Sequence, residues 1–214
     1  SPPAGAAVVL VRLPRSQRRL GYLLARLAPV LSPGTPVILG ARSKEVQKST
    51  VRQVEAAIGP ARSTLARHRS RLIRAERDSR EVSGPSATAW QLGQQLQVRA
   101  LPGVFGEQRL DGGSRLLLDA VESWPEVEQL VDLGCGAGPL GLSAAALNPQ
   151  ARILFCDASH LAIASARQSF AASELTHEVR FRVADVLEGE PDESVDLVLL
   201  NPPFHQGRTI TRSL

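Results

Sequence analysis

The chain has 214 residues, 43% hydrophobic and 21% charged, an ordinary globular composition with enough apolar material for one large or two small domains. No apolar run approaches a bilayer span and no secretory leader is visible; two cysteines, Cys135 and Cys156, without a Cys-x-x-Cys pair argue against a disulfide scaffold or a zinc site and for a reducing cytoplasm. The net charge of +4 hides a split, with 16 Lys/Arg against 5 Asp/Glu in residues 1–85 and 9 against 16 in residues 86–214. Such asymmetry turns the first half toward a polyanion, the alternative being a solvated basic face without a partner.

In the first half, apolar patterning predicts a strand over Ala7–Val11, a helix over about Ser16–Leu31, a strand over Pro36–Leu39 and a helix over Lys44–Ile58. A basic stretch expected to be extended follows over Thr64–Ile73, carrying Arg67, Arg69 and Arg71. Guanidinium heads bind phosphate in two-pronged fashion, so these three are the candidate polyanion contacts. Ser79–Thr88 is polar, contains Gly84-Pro85 and reads as a linker. The expected division is a basic α/β domain over residues 1–84 and a second domain over residues 85–214.

The second half opens with a short hairpin over Trp90–Ala100, turning at Gly93-Gln94. Asp111-Gly112-Gly113-Ser114 opens a helix bearing Leu116, Leu117, Leu118 and Val121. The apolar strand Leu130–Leu133 runs directly into Gly134-Cys135-Gly136-Ala137-Gly138, and Pro139 starts the helical run Leu140–Leu147. Proline suits a first helical turn, where its missing N–H has no partner to lose, and the glycines let a ligand approach the backbone. The two cysteines are most simply small apolar fillers beside this turn.

Three more strands follow: Arg152–Cys156 ending in Asp157, Val179–Val183 ending near Asp185, and Val195–Leu200 ending in Asn201-Pro202-Pro203-Phe204-His205. Asp157 is placed to accept the two hydroxyls of a ribose, and Asp185 to accept from an adenine amino group. Asp132, inside the strand before the glycines, suits a ligand with a cationic amino-acid tail. All of these positions fall at carboxyl ends of strands, where open parallel sheets bind ligands.

Gly136, Gly138 and Gly141 also match the dinucleotide pattern Gly-x-Gly-x-x-Gly, and Asp157 lies 21 residues after Gly136, so hydride transfer is a competing reading. The strand ends two residues too early for that register, and the Asn-Pro-Pro-Phe corner has no role in it. That corner suits a planar amine instead. Two prolines remove backbone donors, so carbonyls dominate; Asn201 adds a side-chain carbonyl and Phe204 a flat face for stacking.

On these residues the chain resembles class I S-adenosylmethionine-dependent methyltransferases, and more narrowly the bacterial ribosomal RNA (guanine-N2)-methyltransferases. Asp132-x-Gly134-x-Gly136-x-Gly138 matches the family's cofactor loop, Asp157 and Asp185 its ribose and adenine positions, and Asn201 to His205 its catalytic corner. Gly103-Val104-Phe105-Gly106 with Leu110 to Ser114 resembles the lead-in that covers the cofactor, which brings in Asp111. Gly40-Ala41-Arg42, Lys48-Ser49-Thr50 and the stretch from Gly59 to Ile73 are closer to the large-subunit RNA enzyme than to the small-subunit one.

The resemblance implies a Rossmann-like class I methyltransferase sheet preceded by a partial, methyltransferase-like α/β domain that helps bind RNA. It implies S-adenosylmethionine as cofactor, ribosomal RNA as partner, and no metal or membrane, in a cytoplasmic protein expected to be a monomer. Asn201, Pro202 and Phe204 would be catalytic. Asp111, Asp132, Gly134, Gly136, Gly138, Asp157, Asp185 and Asn201 would bind the cofactor. Pro203, Phe204, His205, Arg67, Arg69 and Arg71 would contact the substrate, although a packed or solvent-facing role for His205 is the stronger expectation. Methylation of small-subunit RNA, of an adenine N6 or of a protein glutamine stays open, as does a non-catalytic RNA-binding assembly factor. Methionine is absent even at position 1, and the chain stops at Leu214 just past the corner. A piece of a longer protein, with closing strands missing, is therefore the expectation.

Overall fold

The computed structural model describes residues 5–120, 126–186 and 194–202. The chain divides into two compact units, Ser1–Ser86 and Ala87–Leu214.

The first unit begins with β1 (Val9–Arg12) and α1 (Gln17–Leu27). Ser16 caps α1 by accepting from the Arg19 N–H at 3.2 Å. The helix is shorter than its apolar pattern predicts. Pro29 cannot donate to the α-helical ladder, and the chain tightens into a 3₁₀ turn over Ala28–Val30. β2 (Pro36–Arg42), α2 (Lys48–Ala57), β3 (Ala61–Ser63) and β4 (Ser70–Glu76) complete the unit. The sheet order is β1-β2-β4-β3, with β1 and β2 parallel and the other pairs antiparallel. Leu20, Leu24, Val37, Leu39, Val54, Ile58 and Ile73 fill its core.

The basic stretch expected to be extended is a hairpin instead. Arg67 and Ser70 exchange both backbone hydrogen bonds at 2.9 Å, with His68 and Arg69 between them at φ of +49° and +59°. Both are left-handed conformations that side chains with a Cβ rarely adopt. No glycine or asparagine marked the turn, so the pattern did not show it. Arg67 and Arg69 are exposed at the hairpin tip and Arg71 is half-buried beside it. The expected linker lies along α1: a Cβ on Gly84 would come within 2.4 Å of the Ala25 Cβ.

The second unit holds a hairpin of β5 (Thr88–Leu92) and β6 (Leu96–Ala100), then α3 (Gly112–Asp119). Val121, expected on α3, lies outside the described residues. The alternation β7 (Gln129–Leu133), α4 (Pro139–Leu147), β8 (Arg152–Asp157), α5 (His160–Ala172) and β9 (Val179–Val183) follows, with β10 (Leu197–Leu200) last. These four strands form a parallel sheet in the order β10-β7-β8-β9. Its strands are apolar because helices cover parallel sheets. Phe155 is fully buried, stacked on Phe181 at 5.3 Å and edge-on to Phe170 at 6.3 Å.

Apolar patterning marks no element where α5 lies. The buried face of this helix is built from Ala162, Ser165, Ala166 and Ser169 around a single large apolar side chain, Ile163, and carries little hydrophobic signal. The hydroxyls work as strand partners would. Ser165, Ser169 and Ser173 accept from the backbone N–H groups of Leu101, Arg99 and Gln97 at 3.0, 2.8 and 3.1 Å.

Candidate active site

The carboxyl edge of the parallel sheet gathers the chemistry. β7 ends in a turn where Gly134, Gly136 and Gly138 take φ of +67°, +56° and +88°, conformations open to glycine at little cost. Gly138 hands over to Pro139 at the start of α4, so the positive end of that helix faces the turn. Gly141 is needed for space: a Cβ there would lie 2.4 Å from the Phe155 ring and 2.9 Å from Asp132 Oδ2.

Asp132 sits in β7 beneath the turn, 1% exposed, and accepts from the Gly141 N–H at 2.8 Å. Burial pushes its carboxyl up to about 7, with the Asp157 charge adding to the rise and the Gly141 hydrogen bond opposing it. The folded chain therefore keeps a proton that the unfolded chain releases near 3.8. Stability falls as pH rises across that window and levels off above about 7. Asp132→Asn is expected to flatten this decline, as read from urea midpoints of both proteins at about pH 5 and about pH 8. An equal decline in both removes Asp132 as its source.

Asp157 ends β8, and its two oxygens accept from Gly136 N at 3.0 Å and Ser159 N at 2.8 Å. Each keeps a lone pair for a further donor. Asp185 is exposed two residues beyond β9, at the same edge of the sheet. Cys135 and Cys156 are buried free thiols; burial, reinforced by the Asp132 and Asp157 charges, pushes the Cys135 thiol far up, so it is inert at neutral pH.

Asn201 follows β10 directly. Its Nδ2 donates to Asp111 Oδ1 and to Ser114 Oγ, each at 3.0 Å. Asp111 also caps α3 by accepting from Gly113 N and Ser114 N. Asp111, Ser114, Asp132, Gly134, Gly136 and Asn201 line one cleft together with Trp90, Phe105 and Pro139. The lead-in approaches closely, since a Cβ on Gly136 would stand 3.5 Å from the Phe105 carbonyl oxygen. The structure thus brings Asp111, Asp132, the glycine turn and Asn201 together, with Asp157 bonded to the turn. Asp185 is not among the lining residues, and Arg67, Arg69 and Arg71 belong to the other unit. Pro203, Phe204 and His205 lie outside the described residues. Phe105 and Ser114 come from the lead-in expected to cover the cofactor, whereas Trp90, read from the sequence only as part of a hairpin, carried no signal as a cleft residue.

Two family models match the chain: the Methyltransferase small domain over residues 95–214 and the RLMG N-terminal domain over residues 1–79. The chain is 42% identical to Ribosomal RNA large subunit methyltransferase G of Streptomyces coelicolor, over 98% of this chain and 58% of that protein. It is 38% identical to the protein of the same name from Shewanella loihica, over 98% of this chain and 54% of that one. The chain therefore spans a little over half the length of these curated relatives. Among solved structures, the T. thermophilus 16S rRNA N2 G1207 methyltransferase, in complex with AdoMet and guanosine, superimposes with a TM-score of 0.81 at 26% identity, covering 96% of this chain and 58% of that one. A cofactor-loop fold with its glycine turn intact, matched over its length by the first of these models, places the chain in the Methyltransferase small domain family.

Proposed function

We propose that this protein transfers a methyl group from S-adenosylmethionine to the exocyclic N2 of a guanine in ribosomal RNA, specifically 23S large-subunit RNA. The observation that carries the reading is the single cleft in which a positive-φ glycine turn and the clamped Asn201 amide lie side by side. The large-subunit choice leans on the names of the relatives. A 16S target is the second reading, favoured by the superposition on a 16S rRNA N2 methyltransferase.

The residues present suit the cofactor. Three glycines without side chains let a ligand approach the backbone of the turn, Asp157 keeps lone pairs at a strand tip for ribose hydroxyls, and exposed Asp185 offers an acceptor for an adenine amine. S-adenosylmethionine, when bound, supplies an electrophilic methyl on a sulfonium. The chain's own work is positioning and electrostatics. Asn201 Oδ1 and the Pro202 carbonyl each accept one hydrogen of the amine, which draws its lone pair out of conjugation with the ring. The same oxygens stabilise the positive charge that develops on nitrogen. No strong base is required, because the methylated ammonium-like nitrogen is acidic and loses its proton to water. Phe204 is assigned to stack on the guanine, worth about 1–3 kcal/mol for a base on an aromatic ring. The base is unpaired or leaves its stack to reach the cleft.

The basic hairpin tip is assigned to RNA. Arg67 and Arg69 keep their guanidinium heads exposed at this tip, which fits a polyanion contact. Neutralising Arg67, Arg69 and Arg71 together is expected to weaken RNA binding and to reduce the slope of log affinity against log salt by about 2–3. Filter binding across a salt series reads this, and an unaltered slope would assign the hairpin another role.

We also take the protein to act as a metal-free monomer in the cytoplasm. Among the described residues no helix is long and apolar enough to cross a membrane, and no group of His, Cys, Asp or Glu is arranged to hold a metal ion. Calorimetric titration with S-adenosylhomocysteine tests the cofactor assignment; absence of binding favours the assembly-factor alternative.

A further inference from the structure

Asn201, just past the end of β10, is held by three residues at the start of α3. Asp111 Oδ1 accepts at once from Gly113 N at 2.9 Å, Ser114 N at 3.3 Å and Asn201 Nδ2 at 3.0 Å. Ser114 is buried, and its oxygen accepts a second bond from the same Asn201 nitrogen. Between them, Gly113 leaves the space in which the amide lies. A Cβ there would stand 2.6 Å from Asn201 Oδ1 and 3.2 Å from its Cγ. An acceptor, an absent side chain and a hydroxyl together form a cradle around one amide.

The cradle has a single polarity. A carboxylate has no hydrogen to give. Burial alone would raise the Asp111 carboxyl, but hydrogen bonds from the Ser114 and Asn201 side chains and the helix backbone outweigh it and hold the group below its usual range. At neutral pH it is therefore ionised. The Ser114 oxygen accepts from the Asn201 Nδ2 at 3.0 Å, beside the Asp111 carboxylate that accepts from the same nitrogen. An Asn201 amide turned over would set its oxygen against the Asp111 carboxylate, an arrangement that costs more than a lost bond.

We infer that Asp111, Gly113 and Ser114 are positioning residues that lock the sense of the Asn201 amide, so that Oδ1 is always the atom presented to the substrate. The consequence is selectivity for the hydrogen-bearing nitrogen of a base over its carbonyl oxygen or an unprotonated ring nitrogen. The inference rests on the proposed methyl transfer for its consequence in turnover, and on the hydrogen bonds alone for the lock itself.

Two sets of variants test it. Gly113→Ala gains helix propensity and is expected to fold and to bind S-adenosylhomocysteine within about threefold of wild type. Its kcat on rRNA should fall at least about thirtyfold with little change in KM, because the added methyl displaces the amide. Asn201→Asp sets two carboxylates against each other and should lower kcat by about a hundredfold. Adding Asp111→Asn lets an amide again donate to a carboxylate with the polarity reversed, and should recover about tenfold of that loss. Wild-type turnover in Gly113→Ala, or a double variant no faster than Asn201→Asp, overturns the inference while leaving the function standing. Should the wild type methylate no guanine, the function falls and the lock is read from the Asn201 side-chain amide resonances. Protection from exchange in wild type that is lost in Ser114→Ala upholds the lock, and equal exchange in both refutes it.

Discussion

Asn201→Ala is expected to lower kcat by at least about a hundredfold while leaving S-adenosylhomocysteine affinity within a few-fold. The size follows from the role proposed for the amide. A guanine N2 is a poor nucleophile because its lone pair is shared with the ring. In the proposed reaction an acceptor fixed at the end of β10 takes up one of its hydrogens and meets the charge that forms during transfer. Removing one preorganised partner of this kind costs roughly 3–4 kcal/mol in comparable sites. In the proposed assignment, binding of the donor draws chiefly on the glycine turn and Asp157, which the substitution does not touch. The fold should hold too, because Asp111 keeps its bonds to Gly113 N and Ser114 N and still caps α3. Single-turnover transfer paired with calorimetry reads the split. Unchanged turnover removes Asn201 from the chemistry.

The largest expected effect on stability is at Phe155. Phe155→Ala should cost about 3–5 kcal/mol, the range for deleting a fully buried aromatic ring. The ring stacks on Phe181 and meets Phe170 edge-on, so the space left cannot be closed by one neighbour. A typical domain has only about 5–15 kcal/mol in total. The ring is also the floor of the cofactor turn, since positions 138 and 141 carry no Cβ because Phe155 occupies that space. A drop in cofactor affinity should therefore accompany the loss of stability. Denaturant unfolding with a cofactor titration on the residual folded protein checks both. A cost under about 1 kcal/mol would mean that the site collapses around the missing ring.

The sheet that carries the site was legible because its strands are short apolar runs punctuated by Gly, Pro and Asp. The order from Leu130 to Asn201 needs no long-range knowledge, and the family match over residues 95–214 agrees with it. What the pattern did not show has a common physical cause. α5 buries mostly serines and alanines around Ile163, so its face carries almost no periodicity. The hairpin tip at Arg67–Ser70 uses left-handed His68 and Arg69, residues that do not announce a turn. The clamp on Asn201 spans 90 residues of sequence, and nothing in Asp111-Gly112-Gly113-Ser114 read alone points to an amide near the chain's end. Local chemistry marked the helix cap; only the fold revealed that the cap has a second tenant. Phe204 and His205 lie outside the described residues, so their expected roles stand with the proposed function.

Nucleoside mapping after methyl transfer tests the central claim most directly. The chain is incubated with methyl-labelled S-adenosylmethionine and, separately, unmodified 23S and 16S ribosomal RNA, and each RNA is digested to nucleosides. The expected product is N2-methylguanosine from 23S RNA, absent when Asn201→Ala replaces the wild type. Label in N6-methyladenosine, or in neither RNA despite bound cofactor, contradicts it.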